Sequence, residues 1–165
     1  HWASHLNKLR YDYSMARSCN SVTITKLKGI CFTCSFRSLQ VRTGGFTEFV
    51  PLPFVHMEAP IYRKGGSRAG PTMRECILSH AIARISLFPV IPNIQASWVK
   101  MGVHEAALLL QSGCNDMGGV LMNESITRAA GASHGQEVQP SHLESLIKGV
   151  GRTPYRRTTL YGECT

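Results

Sequence analysis

Residues 93–123 read NIQASWVKMGVHEAALLLQSGCNDMGGVLMN, and within this run a strand, a helix and a second strand follow one another. Asn93 to Val99 is short and apolar, is bounded by Pro92 and Gly102, and reads as a buried strand. His104 to Gln111 is rich in helix formers and stops at Ser112 and Gly113, the latter suited to a left-handed cap. Asn115 to Asn123 predicts the next strand, where Gly118 and Gly119 leave space for close approach by a ligand or another backbone. Strands and helices alternating through turn chemistry are the pattern of parallel β/α units, so the expected class is α/β.

The same alternation extends outward on both sides. Phe46 to Phe54 (FTEFVPLPF) is apolar and aromatic enough for a strand, although Pro51 and Pro53 confine its hydrogen-bonded ladder to the first part. After a loop, HMEAPIYRKGGSRAG, Pro71 sits where a first helical residue is preorganised. Ile77, Leu78, Ala81, Ile82 and Ile85 then repeat at helical spacing until Pro89. Downstream, Glu124 to Ala132 resembles a helical turn. Pro140 and Ser141, with Glu144 three residues on, predict a capping box ahead of Leu143, Leu146, Ile147 and Val150. The tail from Gly151 reads as irregular. Three such units neither close a barrel nor cover both faces of an open sheet, so further strands are expected upstream of His1.

Residues 11–37, YDYSMARSCNSVTITKLKGICFTCSFR, break the pattern: they show no period of either kind and hold three of the six cysteines. The plain reading is a surface loop, long for a compact unit. Across the 165 residues the formal charge is +8, but the excess lies in scattered groups such as Arg63, Lys64 and Arg68, with no aromatic-interleaved basic motif. Charge of that kind bears on solubility rather than fold, and a nucleic-acid partner is not expected. No apolar run approaches the roughly 20 residues a spanning helix needs, so a soluble protein without a membrane partner is expected. The cysteines lack compact, even spacing, which favours a reducing compartment; Cys31 and Cys34 form a lone C-x-x-C with no second pair.

Five strings are more specific: GGFTEFVPLPFVHMEAPIYRKG, GPTMRE, IPNIQASWVKMG, NDMGGVLMNESITRAAGASHGQE and GRTPYRRTTLYG. Together they resemble the carboxy-terminal part of the FO synthase family, in the half that transfers the hydroxybenzyl group of tyrosine, a radical S-adenosylmethionine family. The resemblance runs from about Gly44 to Gly162 and resumes at HWASHLNKLR, residues 1–10. Joining Arg10 to Ser38 gives HWASHLNKLRSLQVRTGGFTEFV, an uninterrupted version of the family's pattern, so residues 11–37 are expected to be a retained intron or a lineage-specific insertion. The resemblance implies the closing β/α units of a TIM-type barrel, incomplete here. It also implies a 4Fe-4S cluster and S-adenosyl-L-methionine as cofactors, and tyrosine and 5-amino-6-(D-ribitylamino)uracil as substrates. The partner implied is the other FO synthase subunit or a fused half. A sibling enzyme of menaquinone formation and a noncatalytic truncated product are the alternatives; the cytoplasm or a plastid is the expected location.

In that family three thiolates in a C-x-x-x-C-x-x-C loop hold the cluster. Cys31 and Cys34 would need a third cysteine at position 27, which is Leu27. No cluster ligand, metal ligand or catalytic residue is therefore assigned to this chain, and by itself it is expected to be inactive.

Barrel enzymes place chemistry at the carboxy ends of strands. His56 follows the first strand, to bind a substrate carboxylate, to move a proton or to serve as a structural hydrogen-bonder. Glu48 lies inside FTEFV, where an inward carboxylate needs a partner: an amine of tyrosine or a uracil edge on one side, a structural cation on the other. Alternation puts Gln95 and Ser97 on one face of the second strand, suited to a ribityl chain, with Trp98 packed on the other. Asn123 and Glu124 follow the glycine pair, where either could cap the next helix; Asn123 reads as the cap and Glu124 as the ligand contact. His134 sits beside glycine at a pocket mouth or in a surface turn, and Arg152, Arg156 and Arg157 are expected to bind a partner or lay their stems along the barrel bottom beside Tyr155 and Tyr161.

Overall fold

Helix α1, Val22–Thr43, runs 22 residues without a proline and packs along the helix formed by Met73–Leu87. The computed structural model describes residues 22–121, 124–135 and 137–164. Most of the segment expected to be a loop is thus helical from Val22 onward, and the rest lies outside the described residues. Propensity there is modest, with Gly29 the weakest helix former among many β-branched, Cys, Ser and Phe residues, and tertiary contacts override the missing period. Phe36 stacks on Phe46 at 4.9 Å and meets Phe49 edge-on at 5.5 Å. Arg37 Nη1 donates to the carbonyls of Ser86 and Phe88 at 3.0 and 2.9 Å. Gln40 exchanges two hydrogen bonds of 2.9 Å with the backbone of Phe46 and donates to Val90 O at 3.1 Å.

Three extended segments lie side by side and parallel, Phe49 bridging to Ile94 and Gln95 to Asp116. Phe49 N donates to Asn93 O and Gln95 N to Phe49 O, at 2.9 and 3.0 Å; Asn115 N donates to Ile94 O and Ala96 N to Asp116 O, at 3.1 and 2.8 Å. The expected order is present, but the expected strands shrink to isolated bridges, and among the described residues the chain is mainly helical. The reasons are local. Pro51 has no N–H to offer, Ser97 turns the chain into a helix, and Gly118 N folds back onto Asp116 Oδ1 at 3.2 Å with Gly118 at φ +73°.

Helix α2 is the single turn Pro60–Arg63, and α3 is Met73–Leu87. Met73, not Pro71, begins α3, with Thr72 as its cap: the Thr72 side chain accepts from Glu75 N while Thr72 N donates to Glu75 Oε2 at 2.8 Å. Helix α4, Trp98–Met101, starts inside the stretch read as strand, so Trp98 is not a strand residue. It remains core, buried to 2% exposure, with its Nε1 donating to Gly119 O at 3.1 Å. Helix α5 is Val103–Leu109, α6 Ile126–Ala129 and α7 Pro140–Gly149. The capping box expected at Ser141 and Glu144 does not form, because Pro140 occupies the first turn and Gln139 becomes the cap residue.

Helices α3, α4, α5 and α7 share one core with the extended segments. Leu87, Ile91, Ile94 and Leu109 are fully buried within it, beside Trp98 and Leu143. Each such side chain contributes about 1.5–3 kcal/mol by leaving water. Because side chains alternate along an extended segment, burying Ile94 turns Gln95 to the opposite face.

Candidate functional site

On that opposite face, Glu48, Gln95 and Asp116 stand in a row, one from each parallel segment. Gln95 Nε2 donates to Asp116 Oδ2 at 2.7 Å and to Glu48 Oε2 at 3.2 Å. Gly118 makes room for the amide, since a Cβ there would sit 3.1 Å from Gln95 Oε1. Two tail residues close over the row. Arg157 Nε donates to Asp116 Oδ1 at 3.2 Å, its Nη2 pairs with Asp116 Oδ2, and the same nitrogen lies 3.6 Å from Glu48 Oε2. Tyr161 Oη donates at 2.6 Å to Glu48 Oε2 and at 2.8 Å to Asp116 Oδ2, under an Arg157 guanidinium 3.9 Å from its ring centre.

Electrostatics follow from this packing. Burial works against ionisation of Asp116, but the hydrogen bonds from Arg157, Gln95 and Tyr161 outweigh it, and its carboxyl is held below the usual range. Burial, reinforced by the two carboxylates, pushes the Tyr161 phenol well above its ordinary value, so it stays a donor. Asp116, Arg157 and Tyr161 border an open cavity of about 770 Å³ that also reaches Arg152, Tyr155 and Arg156.

His56 and His134 meet at a second, smaller cavity of about 230 Å³, with Lys100, Met101 and Glu105. Gly70 N donates to His56 Nδ1 at 3.0 Å, which leaves Nε2 of the neutral ring as the N–H donor. Only glycine fits there, since a Cβ on Gly70 would lie 2.1 Å from Phe54 O. His134 Nε2 lies 3.1 Å from Lys100 O and donates to it, so Nδ1 is its acceptor. Lys100 Nζ in turn donates to Thr127 Oγ1 at 2.6 Å.

Ser97 and Glu124 join neither group. Ser97 precedes α4, its carbonyl accepting from Lys100 N at 3.1 Å. Both carboxylate oxygens of Glu124 accept from Thr127 N, at 3.2 and 2.9 Å, so Glu124 caps α6. Asn123 lies outside the described residues. The tail differs from expectation as well: Arg157 and Tyr161 form ionic and phenolic contacts instead of laying apolar stems, and Tyr155 is exposed. Asp116 is not singled out by sequence reasoning, which places Arg157 and Tyr161 at a partner surface or the barrel bottom and not in this row. One signal was available, because Asp116 lies inside an expected strand and an inward charge needs a partner, as at Glu48.

For a cluster the residues present do not fit. Among the described residues no three His, Cys, Asp or Glu side chains converge to hold a metal. Cys34 and Cys164 are exposed while Cys76 and Cys114 are buried apart from them.

Helices packed on one face of three parallel extended segments, with a row of hydrogen-bonding side chains on the other, define a mixed, mainly helical class with little strand among the described residues. A family described as the CofH/MqnC C-terminal region matches residues 43–164, and the chain belongs to it. It is 54% identical over 125 residues to the 5-amino-6-(D-ribitylamino)uracil–L-tyrosine 4-hydroxyphenyl transferase of Methanopyrus kandleri, covering 76% of this chain and 34% of that one. Against the FO synthase of Nocardia farcinica the identity is 51% over 126 residues, or 76% of this chain and 15% of the relative. The FO synthase of Mycobacterium tuberculosis is 42% identical over 161 residues, 98% of this chain and 16% of its own length. The chain therefore spans about a third or less of these relatives. No helix among the described residues is long and apolar enough to cross a membrane.

Proposed function

We propose that this chain supplies substrate-binding residues to a radical S-adenosylmethionine transferase, within a longer polypeptide. The reaction is transfer of the 4-hydroxybenzyl group of tyrosine to 5-amino-6-(D-ribitylamino)uracil, on the way to the deazaflavin FO. The observation that carries this reading is the row Glu48, Gln95 and Asp116, aligned across three parallel segments opposite the core. Glu48 Oε2 is committed to Gln95 and Tyr161, and among the described residues Oε1 has no hydrogen-bond partner. A free carboxylate oxygen beside a carboxamide suits a donor-rich ligand, such as the ammonium of tyrosine or the amino groups of the diaminouracil.

His56 offers an Nε2–H donor and His134 an Nδ1 acceptor at the smaller cavity, suited to a ligand carrying both acceptor and donor groups. The three parallel segments belong, on this reading, to a β/α barrel completed by further strands. The cluster and S-adenosylmethionine bind through residues outside those described, and ring closure falls to another subunit or a fused half. Residues 11–37 are an insertion relative to the family pattern, and the family match begins beyond them at residue 43.

Expression of the complete gene with its ring-closing partner, tyrosine and the diaminouracil tests the reading through deazaflavin fluorescence. Fluorescent product is expected, and Gln95→Ala should raise KM for one of the two substrates about ten- to hundredfold, the loss of one hydrogen bond to a charged group being about 1.5–3 kcal/mol. A complete, cluster-loaded protein that consumes S-adenosylmethionine without joining these substrates would overturn it.

A further inference from the structure

Tyr161 has φ +64°, in a region that a residue with a bulky side chain rarely occupies. Such a conformation persists where surrounding contacts over-determine it, and an observed outlier of this kind is grounds for a functional hypothesis. The surroundings here are specific. Tyr161 N donates to Thr158 O at 3.0 Å, Thr158 N to Gly162 O at 2.9 Å, and Gly162 N to Thr158 Oγ1 at 3.0 Å. The chain on either side is tied by an antiparallel bridge from Arg157 to Glu163. Everything in this turn aims one phenol across 113 residues of sequence at Glu48.

Resting on the reading that Glu48 contacts substrate, we infer that Tyr161 is a positioning residue for Glu48: its hydroxyl fixes one carboxylate oxygen so that the other faces the ligand. The geometry supports this in three ways. Oε2 receives Tyr161 Oη at 2.6 Å and Gln95 Nε2 at 3.2 Å, which together define the carboxylate's rotation. Arg157 is closer to Asp116 than to Glu48, with which its ion pair is longer at 3.6 Å, so one guanidinium faces two carboxylates and the row keeps a net negative charge for a donor-rich ligand. The phenol remains protonated because burial and two carboxylates oppose its ionisation. A tyrosine placed only for packing would not need its oxygen between two carboxylates.

The test uses the complete, cluster-loaded enzyme and the variants Tyr161→Phe, Glu48→Gln and the double variant, with KM and kcat measured for tyrosine and for the diaminouracil, alongside thermal denaturation. Tyr161→Phe keeps the ring under Arg157 and removes only the hydroxyl. The expected result is a five- to twentyfold rise in KM for one substrate, kcat changed by less than threefold, and no further rise when Tyr161→Phe is added to Glu48→Gln. A rise with Glu48→Gln but none with Tyr161→Phe would overturn the positioning role and leave the Glu48 contact standing. Independent, multiplicative effects of the two changes would also overturn it, since Tyr161 would then act elsewhere. If neither variant moves KM, the Glu48 contact and the positioning role both fail.

Discussion

Arg84 Nη2 donates to Asn115 Oδ1 at 2.7 Å, and the same oxygen accepts from Ile94 N at 2.9 Å. One guanidinium thereby ties α3 to two of the three parallel segments at once. Its Nε adds Gly113 O at 2.7 Å and its Nη1 adds Pro92 O at 2.6 Å, so the planar fork serves three acceptors in different directions. A lysine ammonium is a single point donor and cannot reproduce that fork.

Arg84→Lys should therefore destabilise the fold by about 2 kcal/mol, the cost of losing two such hydrogen bonds in a half-buried setting. Urea denaturation measures it. An unchanged midpoint would show that water replaces these contacts without penalty.

Asp116 makes stability depend on acid in a defined direction. Its folded carboxyl titrates below the unfolded value of about 3.9, so the stabilisation is fully present above about pH 4 and is lost as pH falls through the lower, folded value. Stability of the unmodified chain should fall more steeply between about pH 4 and pH 2 than that of Asp116→Asn. Glu75 and Glu124 are also shifted downward and contribute the same background slope to both proteins, so the difference isolates Asp116. Parallel curves would sink the assignment.

These two residues also show what the sequence made legible. Met73–Leu87 was readable because apolar spacing and Pro89 are local signals, and the parallel order of segments followed from alternation. The capping box at Thr72 and Glu75 was equally visible as TMRE, but Pro71 suggested a helix start two residues early. At Ser141 the same motif misled, because Pro140 had already opened α7. Glu48 and Gln95 stood out as polar groups inside apolar strands, and they do face one another. The pairing of Tyr161 with Glu48 was not legible, since a contact bridging 113 residues leaves no period in either segment, and Arg157 and Tyr161 read only as partner-binding or packing residues of the tail.

Thiol reactivity separates the cysteines by burial. Cys114 is pushed up to about 12 by burial, and Cys76 is raised by burial and by the neighbouring Glu75. The thiolate is the nucleophile, so both should resist iodoacetamide at pH 8 in the folded chain, while exposed Cys34 and Cys164 react. Peptide mass spectrometry before and after denaturation reads the order. Early alkylation of Cys114 would mean that α5 and the third segment open readily.

Deleting residues 11–37 is the most direct test of where the family pattern resumes. The deletion joins Arg10 to Ser38, so Leu9 and Arg10 take the sequence positions of Phe36 and Arg37. Arginine replaces arginine where two carbonyl acceptors, Ser86 O and Phe88 O, await a guanidinium, and leucine replaces the phenylalanine that contacts Phe46 and Phe49. Exchanging one large apolar side chain for another typically costs less than about 1.5 kcal/mol. The shortened chain should thus keep its helical circular dichroism per residue and lose no more than about that much stability. In the complete enzyme it should form at least as much deazaflavin as the longer version, and mature transcripts should lack the codons for CFTCSFR. Collapse of the fold on deletion, beyond about 4 kcal/mol, would make residues 11–37 an integral part of the structure, because losses of that size follow only from removing core or a buried network.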